Sequence, residues 1–291
     1  KSATNGGGLF YSRHNDFSLT NVHFWNNNAA NGGGMWNIYS DLTMTEVSFL
    51  GNIVSGWGGG IYNEGSTLNL TDGVFDGNQA NIGGAMYNLN TLPILDMVLI
   101  SNNQASSDGG GIFNDYSHAE ITNITLYNNS AVNGGGLYNW ASDPLIKNIT
   151  LSDNMATSGG GIYNNNASCP MIINSILWGN TNGHILNFDA SNIPQVTYSD
   201  VQGGHSGVGN INQDPLLGVL ADNGGMTMTR ALLVGSPAID AGSLTICPLT
   251  DQRGLSRPQD GDSDGNEVCD MGAYELQVDF YLSIYLPFIM K

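Results

Sequence analysis

Gly58-Gly59-Gly60-Ile61-Tyr62-Asn63 is a phrase that this chain writes seven times with small changes. It opens as Gly6-Gly7-Gly8-Leu9-Phe10 and recurs as Gly32-Gly33-Gly34-Met35-Trp36-Asn37. Beyond the quoted copy come Gly83-Gly84-Ala85-Met86-Tyr87-Asn88 and Gly109-Gly110-Gly111-Ile112-Phe113-Asn114. Gly134-Gly135-Gly136-Leu137-Tyr138-Asn139 and Gly159-Gly160-Gly161-Ile162-Tyr163-Asn164 complete the series. The starts lie 26, 26, 25, 26, 25 and 25 residues apart. A second phrase, an apolar residue followed three positions later by Asn, holds the same register. Its copies run from Phe24 to Asn27, Phe49 to Asn52, Phe75 to Asn78, Ile100 to Asn103, Leu126 to Asn129, Leu151 to Asn154 and Leu177 to Asn180. Two motifs locked to one period mean a stack of equivalent units.

A unit of this length is either a leucine-rich repeat or a coil of a parallel β-helix. The leucine-rich pattern is absent, and no segment has sustained helical periodicity. Short alternating runs such as Thr67-Leu68-Asn69-Leu70 and Ile121-Thr122-Asn123-Ile124-Thr125-Leu126, bounded by Gly and Asn, read as strands. The expected fold is therefore an all-β, right-handed parallel β-helix of seven regular coils with degenerate C-terminal coils and a cap. Stacking at ~4.8 Å turns equivalent residues into lines along the axis. Leu9, Met35, Ile61, Met86, Ile112, Leu137 and Ile162 form the expected core line. Phe10, Trp36, Tyr62, Tyr87, Phe113, Tyr138 and Tyr163 then point outward, because side chains alternate faces. The glycines supply a corner with positive φ or close backbone approach. Two lines of Asn are expected to bond coil to coil as ladders, since each amide both donates and accepts. One is Asn27, Asn52, Asn78, Asn103, Asn129, Asn154 and Asn180; the other is Asn37, Asn63, Asn88, Asn114, Asn139 and Asn164.

The two phrases resemble the paired GGA[ILV] and FxxN repeats of the polymorphic outer membrane protein family, over roughly residues 5–187. The resemblance implies a surface β-helix of bacterial origin, not a secretion route. This chain departs from it by preferring Gly at the third position and Ile or Leu for Phe in four copies. It also shows no autotransporter barrel. Farther on, Gly209-Asn210-Ile211-Asn212-Gln213-Asp214-Pro215, Asn223-Gly224-Gly225 and Gly235-Ser236-Pro237-Ala238-Ile239-Asp240-Ala241-Gly242 follow one another. Asp251-Gln252-Arg253-Gly254, Arg257-Pro258 and Cys269-Asp270-Met271-Gly272-Ala273-Tyr274-Glu275 come next. This string resembles the C-terminal region of bacterial secreted β-helix proteins of the choice-of-anchor type, over roughly residues 196–275. It implies secretion or surface display, not an activity. The expected division is 1–187 regular coils, 188–245 degenerate coils and cap, 246–275 a disulfide-bracketed acidic loop, and 276–291 an apolar tail.

Net charge is −18, from seven Lys and Arg against 25 Asp and Glu. Between Arg13 and Arg230 the sole basic residue is Lys147, which excludes nucleic acid and anionic membrane surfaces as partners. No stretch reaches the ~20 apolar residues of a membrane span. The strict register argues against disorder. The start without Met or signal peptide reads as a processed or trimmed end. Cys247 and Cys269 bracket an acidic loop and are expected to pair, which points to an extracellular setting, leaving Cys169 as a buried free thiol. Sequons at Asn69, Asn123, Asn128, Asn148 and Asn166 read equally as strand residues in register.

Asp260, Asp262, Asp264 and Asn266 alternate along a turn, with Gly265 sixth, as at the start of a calcium loop. Met271 stands where an EF-hand has Glu, so the expectation is a non-EF structural Ca²⁺ turn using these residues with Glu267 or Asp270, against a plain solvated loop. For catalysis the best carboxylates are Glu46, Asp72 and Asp76. Glu46 and Asp72 share a column one coil apart, expected ~5 Å from one another, near the spacing of a retaining glycosidase pair. Asn21, Asn123, Asn148 and Asn174 fill that column elsewhere, which favours a structural polar line. His14, His23, His118, His184 and His205 show no metal-ligand spacing. The aromatic line reads as a sugar-stacking strip, a protein contact or a strip covered by its own chain.

Atypical terminal coils cap solenoids, and an open coil exposes unpaired backbone. The first glycine phrase begins five residues from Lys1, so the N-terminal edge reads as uncapped. The tail, with Phe280, Tyr281, Ile284, Tyr285, Leu286, Phe288 and Ile289, reads as packing on its own solenoid, as an anchoring signal, or as a head-to-tail connector between subunits. The expected role is structural or adhesive at the cell surface, with self-association into a filament, other surface proteins and glycans as candidate partners. The alternative is a carbohydrate-active enzyme or carbohydrate-binding module on the same fold.

Overall fold

The computed structural model describes residues 3–13 and 17–277. The expected connector residues of the tail and His14 lie outside them. Each regular coil contains four short strands. In one coil a first arm, Thr67–Thr71, turns at Asp72 into a second arm, Val74–Asp76. Gly77 and Asn78 lead into Gln79–Ile82, and the Gly83-Gly84-Ala85 corner leads into Met86–Leu89. Equivalent strands pair in parallel with the next coil, giving sheets of seven, fourteen and eight strands. The eight-stranded sheet carries one strand per coil, from Leu9–Ser12 to Ile185–Asn187. The fold is the right-handed parallel β-helix the repeat predicts.

The interior explains the glycine phrase. Its first glycine has a φ of 58–67° in the six copies from Gly32 to Gly159, the left-handed region that costs a side chain energy. Its second glycine abuts the coil above: a Cβ on Gly84 would lie 2.2 Å from the Gly110 carbonyl oxygen. The core line Met35, Ile61, Met86, Ile112, Leu137 and Ile162 is fully buried. Phe24, Phe49 and Phe75 stack beside it, with ring centroids 4.8 and 4.7 Å apart.

The first Asn ladder is saturated. Asn52, Asn78, Asn103, Asn129 and Asn154 each donate Nδ2–H to the Oδ1 of the next Asn at 2.9–3.0 Å, and their backbone N–H groups reach the same atom. The second ladder runs from Asn88 through Asn114, Asn139 and Asn164 to Asn187, but it is interrupted below Asn88. Asn63 donates to Thr91 Oγ1 instead of Asn88, and Asn88 Oδ1 is buried without a partner. Thr91 stands where serine fills the equivalent position at 40, 66, 117, 142 and 168. Those serines form a ladder of their own: the backbone N–H of Ser40, Thr91, Ser117 and Ser142 donates to the hydroxyl one coil on.

The aromatic line does point outward, into a cluster separate from the main core. Five of its seven rings are nevertheless closed off: Tyr62, Tyr87, Phe113, Tyr138 and Tyr163 are only 3–7% exposed. Consecutive rings stack at 4.6–5.3 Å, since the coil spacing nearly equals a ring–ring spacing. From Tyr62 to Tyr163 each ring face is covered by its neighbours, so that stretch is a strip covered by its own chain, whereas Phe10 on the first coil is 53% exposed and Trp36 is partly buried.

The C-terminal region corrects the expectation of a simple end cap. Residues 202–213 do close the last coil: Tyr198 and Val201 N–H donate to the carbonyls of Val208 and Ile211, and Asn210 Nδ2 donates to the Val196 carbonyl. From Leu217 on, the chain turns back and runs as a strap along the flank. It begins with an antiparallel hairpin, Leu217–Ala221 with Thr229–Leu232. Cys247 and Cys269 are joined as expected. Cys169 is partly exposed rather than buried.

Candidate functional site

The corner between the two arms organises the surface. Asn21, Glu46, Asp72, Met97, Asn123, Asn148 and Asn174 all take the left-handed conformation there, with φ of 49–56°. Asn and Asp tolerate it because their short polar side chains bond locally. On the later coils these amides hold the strap. Asn123 donates to the Thr250 carbonyl at 3.1 Å, Asn148 to Asp270 at 3.2 Å and Asn174 to Ser243 at 3.0 Å. The Ser243 N–H returns a bond to Asn174 Oδ1. Gln252, fully buried, takes the Thr125 hydroxyl and donates to the Val98 carbonyl. Arg230 pairs with Asp153 at 2.6 Å and sits 5.5 Å over the Tyr127 ring. The strap thus reaches back to Met97, whose carbonyl accepts the Thr227 hydroxyl.

The strap's own interior is polar. Arg253 pairs with Asp251 at 2.6 Å and lies 3.7 Å over the Tyr274 ring. Arg257, with its side chain wholly buried, faces Glu275 at 3.3 Å and donates to the Gly272 carbonyl. Glu275 accepts the N–H groups of Gln259 and Asp270. Burial raises the pKa of both Asp270 and Glu275, and the nearness of Asp270 raises Glu275 further. The Asp251-Gln252-Arg253-Gly254, Arg257-Pro258 and Asp270-to-Glu275 phrases are the residues of this knot.

Of the three catalytic candidates the structure brings two together. Glu46 and Asp72 line one cleft of 140 Å³ with Asn21, His23, Ser48 and Met226. Burial raises the Asp72 pKa, with Glu46 and then Asp96 adding repulsion. His23 Nδ1 lies 2.5 Å from Ser48 Oγ. Asp76 is not in this cleft: it accepts from Ser101 Oγ and Asn102 Nδ2, both at 2.7 Å.

The calcium candidates divide similarly. Among the described residues one set of three acidic side chains gathers its carboxylate oxygens within 4.8 Å: Asp240, Asp260 and Asp262. Asp260 accepts the N–H groups of Asp264 and Gly265, and Asp264 accepts that of Asn266. Asp264, Asn266 and Glu267 are not among the three gathered carboxylates, but they line an open cavity together with Asp240 and Asp262. Asp240, which sequence reasoning missed, takes the Asp262 N–H at 2.8 Å through Oδ2, while its Oδ1 is buried without a partner. Its signal was the Gly-rich phrase from Gly235 to Gly242, which carried no hint that it would meet the acidic turn.

A model of the Chlamydia polymorphic membrane protein (Chlamydia_PMP) repeat matches residues 46–64 and 97–115. Both segments start at the left-handed corner and end on the aromatic strand. Over those two segments the chain is similar to polymorphic membrane protein repeats. A curated relative, the probable autotransporter YfaL of Escherichia coli (strain K12), is 34% identical over 119 residues, covering 34% of this chain. The chain spans 10% of that relative's length. Among the described residues no helix is long and apolar enough to cross a membrane.

Proposed function

We propose that this chain is the rod of a surface-displayed structural and adhesive protein. The observation that supports the reading is the set of lines running from coil to coil: the saturated Asn ladder, the serine ladder and the stacked aromatics. They stiffen a solenoid whose flank, not an enclosed cavity, is its working surface. Beads coated with the purified chain are expected to attach to cultured cells well above beads coated with an acidic protein of similar charge; equal attachment overturns the reading. Electron microscopy of the same material separates the finer form: single rods fit an adhesin. Filaments abolished by deleting residues 277–291 make the tail a head-to-tail connector. The carbohydrate-active alternative draws on Glu46 and Asp72, and polysaccharide cleavage lost in E46Q/D72N would favour it.

The gathering of the Asp240, Asp260 and Asp262 carboxylates, with one Asp240 oxygen lacking a partner, favours a structural Ca²⁺ there, the chemistry being all-oxygen and anionic. Calorimetry is expected to show Ca²⁺ binding that Asp240→Asn weakens about tenfold or more. No heat and no change in melting temperature with Ca²⁺ would sink the metal.

A further inference from the structure

The strap stops short of the first coils, and what it leaves open resembles what it covers elsewhere. The outward column of the second arms runs in register through His23, Ser48, Val74, Leu99, Thr125, Thr150 and Ile176. From Leu99 onward these residues are buried under the strap, whereas Val74, Ser48 and His23 face the cleft beside Met226 at the strap's edge. The next outward column holds Trp25, Leu50, Asp76, Ser101 and Tyr127 in register. Tyr127 is the ring under Arg230, and Trp25, four coils earlier, is 70% exposed.

The strap recognises the covered groove with two devices: extended backbone meeting the corner side chains, and a guanidinium laid over a ring beside a carboxylate. On the open coils the corner residues are Asn21 and two carboxylates, Glu46 and Asp72, and the ring is Trp25, on the Asn21 coil. Among the described residues no cation pairs with Glu46 or Asp72. We propose that this open stretch of groove binds an extended, arginine-bearing segment of a partner protein, laid where the strap would run if it continued. Charge complementarity and continuity with the strap's interface select that occupant. A second copy of this chain is poorly suited, since four of its seven cations, Lys147, Arg230, Arg253 and Arg257, are held in ion pairs within their own chain. The proposal deepens the adhesive reading by naming the chemistry of one partner. Its test uses a purified peptide, so failure here leaves cell attachment to be judged separately.

The probe is a short fluorescein-labelled peptide of alternating Arg and Val, with an alternating Glu and Val peptide beside it. Binding is followed by anisotropy in EDTA at about 0.15 M NaCl, where exposed long-range attraction is screened. The Arg peptide is expected to bind, and E46Q/D72N to weaken it about tenfold or more. Trp25→Ala, at an exposed position, is expected to weaken it about threefold through the lost cation–π contact. D189N/D214N removes the same charge near the far end and is expected to stay within about twofold of wild type. Equal losses in the two double variants reduce the binding to general attraction and overturn the proposal. So does absence of Arg-peptide binding, or Ca²⁺ binding lost in E46Q/D72N without any peptide binding, which would make the cleft a cation site.

Discussion

Asn103→Ala is expected to destabilise the solenoid by about 4 kcal/mol, because it leaves several buried groups unsatisfied at once. The Asn103 Oδ1 accepts the backbone N–H and the Nδ2–H of Asn78, both at 2.9 Å. Its Nδ2 donates to Asn129 Oδ1 at 2.9 Å and to the Phe75 carbonyl at 3.0 Å. Alanine removes both sides of this arrangement in a place with no water to replace it, and each orphaned group costs roughly 1–3 kcal/mol. Asn103→Asp keeps the shape but turns a double donor into an acceptor facing two acceptors, and is expected to be at least as harmful. The exposed neighbour Asn102 also bonds across coils, to Asp76 and Asn128, and holds a φ of 56°; water takes over its lost bonds, so Asn102→Ala is expected to cost only about 1–2 kcal/mol, chiefly the strain of a left-handed alanine. Chemical denaturation gives the magnitudes. Hydrogen exchange gives the place, since a solenoid's coils depend on nearest neighbours and protection should fall on both sides of the defect. An N103A protein that unfolds with N102A would remove the ladder from the account of stability.

The ladder was legible because an Asn at a fixed period has one obvious use between stacked coils. Its partner ladder was legible only in part. The sequence shows Asn63 and Asn88 in register, but not that Thr91 would draw the Asn63 amide away. The serine ladder was visible as a spacing and went unread, because serine is common in turns for other reasons. Alternation gave the direction of the aromatic line correctly. Exposure depended on a second quantity, the match between coil spacing and ring stacking, that alternation does not contain. The strap was beyond reach altogether: Gln252 meets Val98 and Asp270 meets Asn148 across more than a hundred residues, and nothing periodic links them. The same contacts decide the candidate sites. They explain why Asp240 joins the acidic turn, and why Glu46 and Asp72, with Asn21, are left uncovered at the corner.

The chain is expected to be more stable at mildly acidic than at mildly alkaline pH, and Asp200 offers the sharpest test. It is fully buried in the last coil; one carboxylate oxygen accepts the Gln213 N–H at 3.2 Å and the other has no partner. Burial pushes its pKa from 3.8 up to about 6, with the Gln213 hydrogen bond opposing and the Asp214 charge reinforcing the rise. A carboxyl whose folded pKa lies above its unfolded value holds its proton more tightly when folded. Its contribution is complete below the unfolded value and is lost as pH climbs through the folded one. Burial moves Asp96, Asp115, Asp270 and Glu275 in the same direction. Exposed Asp189 runs the other way through its bonds to Ser191. The pKa of His184 is lowered by burial, so its protonation limits the gain on the acid side. Asp200→Asn removes one titration without changing shape. It is expected to raise stability by about 1–2 kcal/mol at pH 8 and to leave it unchanged near pH 4, allowing for partial screening close to the solenoid's end. Denaturation curves for the two proteins across that range should therefore diverge as pH rises. Parallel curves would mean that Asp200 titrates as it does in the unfolded chain, and that the unpartnered oxygen is reached by water.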